Sequence, residues 1–415
     1  MDQSGPPPIQ IIAVHGGAGF HPKSTGLEVK HALRLACSRA IEAFTRERGI
    51  ALPAVCEAIS ALEEDEFLNA GYGSNLTLRG TVECDASIMD GCNGDFGAVG
   101  SVSGVRYPIK LAHEVLQYSR KPDPLGRTPP LLLVSSGASE FAESCGLRCP
   151  PQSMVSRRAQ GEWAKWKNEL DAAKSRLSED SPATPGQDAP PQLQVDGLRD
   201  RQDTVGAVAC NVEGHLAAGV SSGGLLLKLP GRVGEAAIYG AGCWATHKTA
   251  CSVSGAGEYI TRLSLARALC DAIEAAGDDA DTHEVLQRVL GRDFLQLCSD
   301  RGEPSPQAGV LLLVKEERSR DDSANVGHDS DMDSDSDGNG DDSNTDKSDR
   351  GGNSHGGRPA FKPRLWCAFT TESMAIGYAT TLSPKPSTVI LRRPPRAPGR
   401  ENSPSVYTTA LPLNY

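Results

Sequence analysis

Apolar positions crowd Ile9–Val14, a pattern that predicts a buried strand, and the run ends in His15-Gly16-Gly17-Ala18-Gly19. Helical spacing follows over Leu27–Arg46 and again over Leu52–Glu64. A loop, Asn69-Ala70-Gly71-Tyr72-Gly73-Ser74-Asn75, comes next. Two short strands, Leu76–Leu78 and Thr81–Met89, then bracket a turn at Arg79-Gly80. A further strand is predicted near Gly97–Val105, and helices near Ile109–Ser119 and Ser136–Cys145.

The pattern changes over 156–200. Trp163, Trp166, Leu170, Ala173 and Leu177 recur three and four residues apart, which puts them on one face of a helix. The proline-rich stretch Pro182–Pro191 ends that helix and reads as a flexible linker. The tryptophan face either packs on the domain surface or forms an arm that binds a partner. Strand patterns return at Val205–Val212, Leu216–Val220 and Ala236–Gly240, and helices fit Tyr259–Ala276 and His283–Leu297. Gly309–Lys315 is an apolar strand. Residues 316–360 are Asp, Ser, Asn and Gly with almost no apolar content, so disorder is expected there. Strands resume at Arg364–Thr370, Met374–Thr380 and Thr388–Leu391, which makes the acidic tract an insertion within a hairpin. The elements add up to a mixed α/β layered domain, helices outside and strands inside.

Charge narrows the partners. The chain of 415 residues carries a net charge of −11, yet residues 321–349 alone hold eleven aspartates and one lysine. The rest is close to neutral and has no basic surface for nucleic acid. Inside the tract, Asp333, Asp335, Asp337 and Gly338 resemble the opening of a calcium loop. Asn344 stands where a bidentate glutamate belongs, and no amphipathic helices flank the segment, so loose cation condensation is preferred to a metal site. The length fits one large or two medium domains. No apolar run approaches the ~20 residues that span a bilayer. Met1–Pro8 is polar and proline-rich, unlike a secretory signal. The twelve cysteines show no CxxC pair and no Cys/His zinc spacing, so reduced thiols in cytoplasm or nucleus are expected.

The chemistry centres on Asp203-Thr204-Val205-Gly206-Ala207-Val208. A polar arm, Arg199-Asp200-Arg201-Gln202, leads into a hydroxyl residue that opens a buried strand. Cutting the Asp203–Thr204 bond would release a threonine whose own α-amine can serve as base for its hydroxyl. Before the cut that nitrogen is an amide, so another group must assist; the Asp203 carboxylate and the Ser222 hydroxyl are candidates.

Other motifs stand around this one. They are Val14-His15-Gly16-Gly17-Ala18-Gly19, Asn69-Ala70-Gly71-Tyr72-Gly73, the stretch Val82-Glu83-Cys84-Asp85-Ala86-Ser87 continuing to Gly91, Ser221-Ser222-Gly223-Gly224, Pro230-Gly231-Arg232-Val233-Gly234, Ser254-Gly255-Ala256-Gly257-Glu258 and Thr370-Thr371-Glu372-Ser373-Met374. This ordered set resembles the type 2 asparaginase family of N-terminal-nucleophile hydrolases, from about residue 9 to residue 391. The resemblance implies an αββα four-layer sandwich, to which this chain adds the disordered acidic insertion read from its composition, a tract without a counterpart in the family. It also implies a precursor cut into an α part, 1–203, with 156–200 as its linker, and a β part, 204–415, that pair as a dimer of processed units. No cofactor and no metal are implied.

Within the family, Asp203 resembles the threonine-aspartase (taspase-like) branch, which implies an endopeptidase that cleaves protein substrates after Asp, nuclear regulatory proteins among them. The alternative is a small-molecule amidohydrolase acting on asparagine, isoaspartyl dipeptides or glycosylated asparagine. Residue by residue, the resemblance gives Thr204 as nucleophile, Ser222 as the second hydroxyl, Ser254 and Gly255 as oxyanion hole, and Asn69 as the orienting side chain. Arg232 would bind a substrate carboxylate bidentately. Gly257 would line the substrate site, and Lys23 would add a second cation. His15 is read as structural. Glu235 stands where small-molecule members carry an aspartate for the substrate ammonium; one methylene longer, it either points elsewhere or joins the substrate site, where an acid favours amino-acid substrates and so the small-molecule alternative. The familiar basic import cluster is thin here, only Arg157, Arg158, Lys165, Lys167 and Lys174 among acids, which leaves the nucleus, the cytoplasm or both as the location.

Overall fold

Nine consecutive buried residues, Ile11–Gly19, make the first strand, β1. A run buried on both faces needs cover on both, and the rest of the fold supplies it. The structure is a computed structural model that describes residues 9–47, 49–179, 203–277, 281–317, 361–394 and 405–413. The N-terminal part continues with α1 (Gly26–Arg46), α2 (Ala51–Glu63), β2 (Cys84–Asp90), β3 (Phe96–Val102), α3 (Pro108–Ser119), β4 (Leu132–Val134), α4 (Ser135–Ser144) and α5 (Arg157–Glu179). After Thr204 come β5 (Val205–Cys210), β6 (Leu216–Ser222), β7 (Cys243–Ala245), β8 (Thr249–Gly255), α6 (Gly257–Leu263), α7 (Leu265–Ala275) and α8 (Thr282–Leu286). A π-helical stretch, Gln287–Phe294, runs into α9 (Leu295–Asp300). The chain ends with β9 (Ala308–Glu317), β10 (Phe361–Phe369), β11 (Ser373–Thr380), β12 (Ser387–Arg392) and β13 (Tyr407–Leu411).

Eight strands form one sheet in the order β12-β11-β1-β5-β6-β2-β3-β4, and five form a second, β13-β10-β9-β8-β7. Helices α1, α2 and α3 pack on the first sheet, whose other face meets the second through β1, β5 and β6 against β8 and β9. Helix α7 packs on β7 and β8. Strand alternation explains the two cores. Ile12 and Val14 of β1 join the core under the helices, whereas Ile11, Ala13 and Ala18 join the core between the sheets.

Several expected elements take a different form. The first strand does not stop at Val14: β1 runs on through the glycine motif to Gly19, with a register shift between His15 and Ala18. Arg79-Gly80 turns between an isolated bridge, Leu76 with Val82, rather than between two strands. Ala236–Gly240 is not a strand; a 3₁₀ turn, Glu235–Ala237, occupies its start. The long helix expected over Tyr259–Ala276 breaks at Ser264, which takes φ +49 between α6 and α7. Strands β4, β7, β8 and β13 lack a sequence expectation, being short or rich in small and polar residues.

Trp163 of α5 donates its Nε1–H to Thr77 O at 2.8 Å, and a Cβ added to Gly80 would lie 3.4 Å from its ring, so this member of the tryptophan face packs on the domain. The proline-rich linker and the acidic insertion lie outside the described residues, as does the calcium-like segment. The ends of the insertion are described, and Glu317 pairs with Phe361 across adjacent antiparallel strands. All twelve cysteines are free thiols. Among the described residues, no helix is long and apolar enough to cross a membrane, and no His, Cys, Asp and Glu cluster could hold a metal ion.

Candidate active site

On β5, Val205, Ala207 and Ala209 face the helices while Val208 and Cys210 face the second sheet. Thr204, one residue before Val205, therefore directs its side chain between the sheets. Ser222 closes β6 with the parity of Val220, on the same side. Ser254 arrives from β8 of the facing sheet. Three hydroxyls, one just ahead of β5 and two from the ends of β6 and β8, thus meet in one crevice, with Thr204 only 1% exposed.

Thr204 Oγ1 lies 2.9 Å from Glu235 Oε1 and 3.1 Å from Ser222 Oγ. One hydroxyl carries one proton, and a carboxylate is the stronger acceptor, so the proton points to Glu235. The Thr204 N–H donates to Ser254 Oγ at 3.2 Å, and the same oxygen takes the Ala18 N–H at 3.0 Å. The carbonyl oxygen of Asp203 accepts from Asn69 Nδ2 at 2.7 Å. Asn69 is itself fixed: Nδ2 also donates to Gly224 O at 2.9 Å, and Oδ1 accepts the Asn75 N–H at 2.8 Å. The peptide unit joining Asp203 to Thr204 is gripped at both its oxygen and its nitrogen.

Gly17 makes room for Asp203. Its φ is +105, and a Cβ added there would stand 2.6 Å from Asp203 Cβ and 2.7 Å from Oδ1. Gly255, after Ser254, has φ +141, and a Cβ there would meet Gln307 O at 2.3 Å, so no side chain fits. A cavity of about 360 Å³ opens beside Asn69 and Asp203, walled by Phe20, Phe67, Arg158 and Glu162.

Arg232 and Glu235 ride one loop that β2 and its approach hold down. Asp85 accepts the Ser101 N–H at 2.7 Å and the Gly234 N–H at 2.8 Å, and Glu83 Oε2 accepts the Gly231 N–H at 2.7 Å. Neither acid is singled out by sequence reasoning; their place in the Val82–Gly91 motif is the only signal. Arg232 Nε and Nη2 bond to Glu258 at 2.9 and 2.8 Å, so the fork expected to read a substrate is already engaged. A Cβ on Gly257 would fall 2.4 Å from Glu235 Oε2 and 2.8 Å from Arg232 Nη2, so both charged heads converge on that glycine.

Burial pushes the Glu235 carboxyl above its ordinary range, while Arg232 and the Thr204 hydroxyl pull it down. His15 is buried, which lowers its pKa to about 3, and its Nε2 bonds to Ser252 Oγ at 2.8 Å; it is a neutral structural residue. Lys23 stands exposed on the turn Lys23–Thr25, outside the cluster. The structure brings together Thr204, Ser222, Ser254, Asn69, Asp203 and Glu235, with Arg232 and Gly257 one step behind.

Residues 9–294 match the asparaginase family. An isoaspartyl peptidase/L-asparaginase of Xenopus laevis is 35% identical over 300 residues, 71% of this chain and 87% of that protein. The human isoaspartyl peptidase/L-asparaginase is 35% identical over 300 residues, 71% and 88% of the two chains. A plant-type L-asparaginase of Pyrobaculum calidifontis is 35% identical over 293 residues, 69% and 87%.

Proposed function

The chain belongs to the asparaginase family of N-terminal-nucleophile hydrolases, and we propose that it cuts itself between Asp203 and Thr204 and then hydrolyses β-aspartyl amides, L-asparagine or isoaspartyl peptides, through Thr204. One observation carries the reading: Thr204 Oγ1 sits within hydrogen-bond reach of Ser222 and Glu235 while Asn69 holds the carbonyl oxygen of the preceding residue. In the processed enzyme the freed α-amine takes the hydroxyl proton and returns it to the leaving group. Ser254 and the backbone at Gly255 face the charge that develops on the substrate oxygen, and Asn69 does the same for the first cut. The convergence of Arg232 and Glu235 on Gly257 suits a substrate with one carboxylate and one ammonium.

Sequence reasoning ranks an Asp-cleaving endopeptidase first; the names borne by the relatives favour the small-molecule reading instead. The endopeptidase remains the second reading because Asp203, the chain's own residue before the cut, fits the space left by Gly17. We further read the helix–sheet–sheet–helix packing as the αββα sandwich, the parts 1–203 and 204–415 as its two subunits, and the processed unit as half of a dimer.

The test pairs two measurements. Mass spectrometry of purified protein is expected to find a fragment that begins at Thr204, absent from Thr204→Ala. Processed protein is expected to release ammonia from L-asparagine and aspartate from an isoaspartyl dipeptide. Cleavage of an Asp-Gly peptide without ammonia release would instead select the endopeptidase.

A further inference from the structure

Until the Asp203–Thr204 bond opens, the Thr204 nitrogen is an amide and takes no proton, so the first cut needs a base that later turnovers do not. Ser222 offers a neutral hydroxyl at 3.1 Å, which takes up a proton only weakly. The Asp203 side chain is packed against Gly17. Among the described residues, Glu235 is the one carboxylate hydrogen-bonded to Thr204 Oγ1, and its Oε1 lies 2.9 Å from that oxygen. We propose that Glu235 is the general base of self-cleavage, taking the Thr204 hydroxyl proton in the intact chain. The inference rests on the self-cleavage reading above and assigns Glu235 a task distinct from holding a substrate ammonium.

The steps balance. Thr204 Oγ1 bonds to the Asp203 carbonyl carbon as its proton passes to Glu235 Oε1. The carbonyl electrons move onto the oxygen that Asn69 Nδ2 already holds at 2.7 Å. As the tetrahedral centre collapses, the C–N bond breaks and the Thr204 nitrogen receives the proton from Glu235. An ester between Asp203 and the Thr204 oxygen remains, beside a free amine. Water then cleaves the ester, its hydroxyl going to Asp203 and its proton back to Thr204 Oγ1.

Geometry explains the glutamate. Asp85 pins Gly234 by its N–H, so residue 235 starts from a fixed point. From there a glutamate reaches the nucleophile, and an aspartate would stop one C–C bond (~1.5 Å) short. The site is also sealed: Glu235 is 2% exposed. The charged groups around it are Arg232 on its own loop, with Glu258 of α6 bound to that arginine, and Asp85 on β2, with Lys228 acting on Asp85. Burial and Asp85 raise the carboxyl's proton affinity, and Arg232 lowers it.

Intact precursor from cell-free synthesis at low pH, shifted to a range of pH and followed by mass spectrometry, tests this. The wild-type rate is expected to rise about tenfold per pH unit and level off after one ionisation above the ordinary glutamate value. Glu235→Gln is expected to melt like wild type, to cleave about 100-fold more slowly and to lose that ionisation. Formate is expected to restore cleavage in Glu235→Ala by filling the vacated space. A wild-type rate flat between about pH 4 and 8, or Glu235→Gln cleaving within about threefold of wild type, overturns the proposal. Failure of the parent reading looks different: wild type stays whole, or Thr204→Ala is cut at the same bond.

Discussion

Asn69 Nδ2 sits 2.7 Å from the carbonyl oxygen of Asp203, a residue 134 positions away in sequence and the one that precedes the proposed nucleophile, Thr204. An amide donor already in place costs no reorganisation when negative charge builds on that oxygen. Asn69→Ala is expected to slow self-cleavage about 100-fold, the loss of ~3 kcal/mol of barrier stabilisation that removing one such donor brings. The turn around it keeps its backbone bond from the Gly223 N–H to Asn69 O but loses the side-chain bonds to Gly224 O and the Asn75 N–H, so the kinetics are compared well below the lowered thermal melt. The fraction of intact chain against time reads the effect; unchanged kinetics would remove Asn69 from the mechanism.

Gly17 and Asp203 form a matched pair. Gly17→Ala puts a methyl 2.6–2.7 Å from the Asp203 side chain and forces an L-residue to φ +105. The substituted chain is expected to hold the scissile bond out of place and to cleave at least tenfold more slowly, an order-of-magnitude estimate. Asp203→Gly in the same chain removes the clashing atoms and should recover most of the rate. Absence of recovery would mean that backbone strain at position 17, not contact with Asp203, is what matters.

Arg232→Ala separates binding from self-cleavage. If its guanidinium reads a substrate carboxylate, KM for L-asparagine should rise by about 100-fold, as expected for a lost charged bidentate bond. Arg232 also lowers the proton affinity of Glu235, so its removal should shift the acid limb of self-cleavage to higher pH. Arg232→Lys keeps the charge and should leave that limb near wild type while KM stays raised. Steady-state kinetics and the precursor pH profile read the two effects independently.

A buried carboxyl beneath the site makes stability depend on pH. Burial raises Glu63 from 4.5 to about 8, against hydrogen bonds from Ser221 Oγ at 2.6 Å and the Ile109 N–H at 3.0 Å. The native chain keeps this proton after the unfolded chain has lost it. Stability from Glu63 is therefore complete below about 4.5 and falls as pH rises to about 8, by up to ~1.4 kcal/mol per pH unit. Glu63→Gln cannot ionise, so its melting temperature should drop less than that of wild type between about pH 5 and pH 8. His15 acts in the opposite sense. Its pKa is lowered from 6.5 to about 3, so its contribution is complete above 6.5 and lost as pH falls toward 3.

What the sequence discloses here tracks how local the signal is. Helices α1, α2 and α3 announce themselves by long apolar periodicity, and their bounds fall within a residue or two of expectation. Thr204, Ser222, Ser254 and Asn69 could be gathered because each sits in a motif of the ordered set that resembles the family. Strand β8, which delivers Ser254, was invisible: Thr249-Ala250-Cys251-Ser252-Val253-Ser254 is small and half polar, and only its partner β9 makes it a strand. The aim of Glu235 was equally hidden. Its direction depends on Asp85 holding Gly234 and on Gly257 lacking a side chain, contacts that no periodicity encodes.

The pairing of Glu317 with Phe361 sets the two flanks of the acidic segment opposite each other on neighbouring strands. Joining two ends so placed is inexpensive: each doubling in length of a flexible connection costs only about 0.6 kcal/mol of closure entropy. That junction is the natural place to graft a fluorophore, an affinity handle or a short two-residue turn. Descendants of this chain could lengthen, shorten or recharge the segment joining those strands while the crevice around Thr204 stayed as it is.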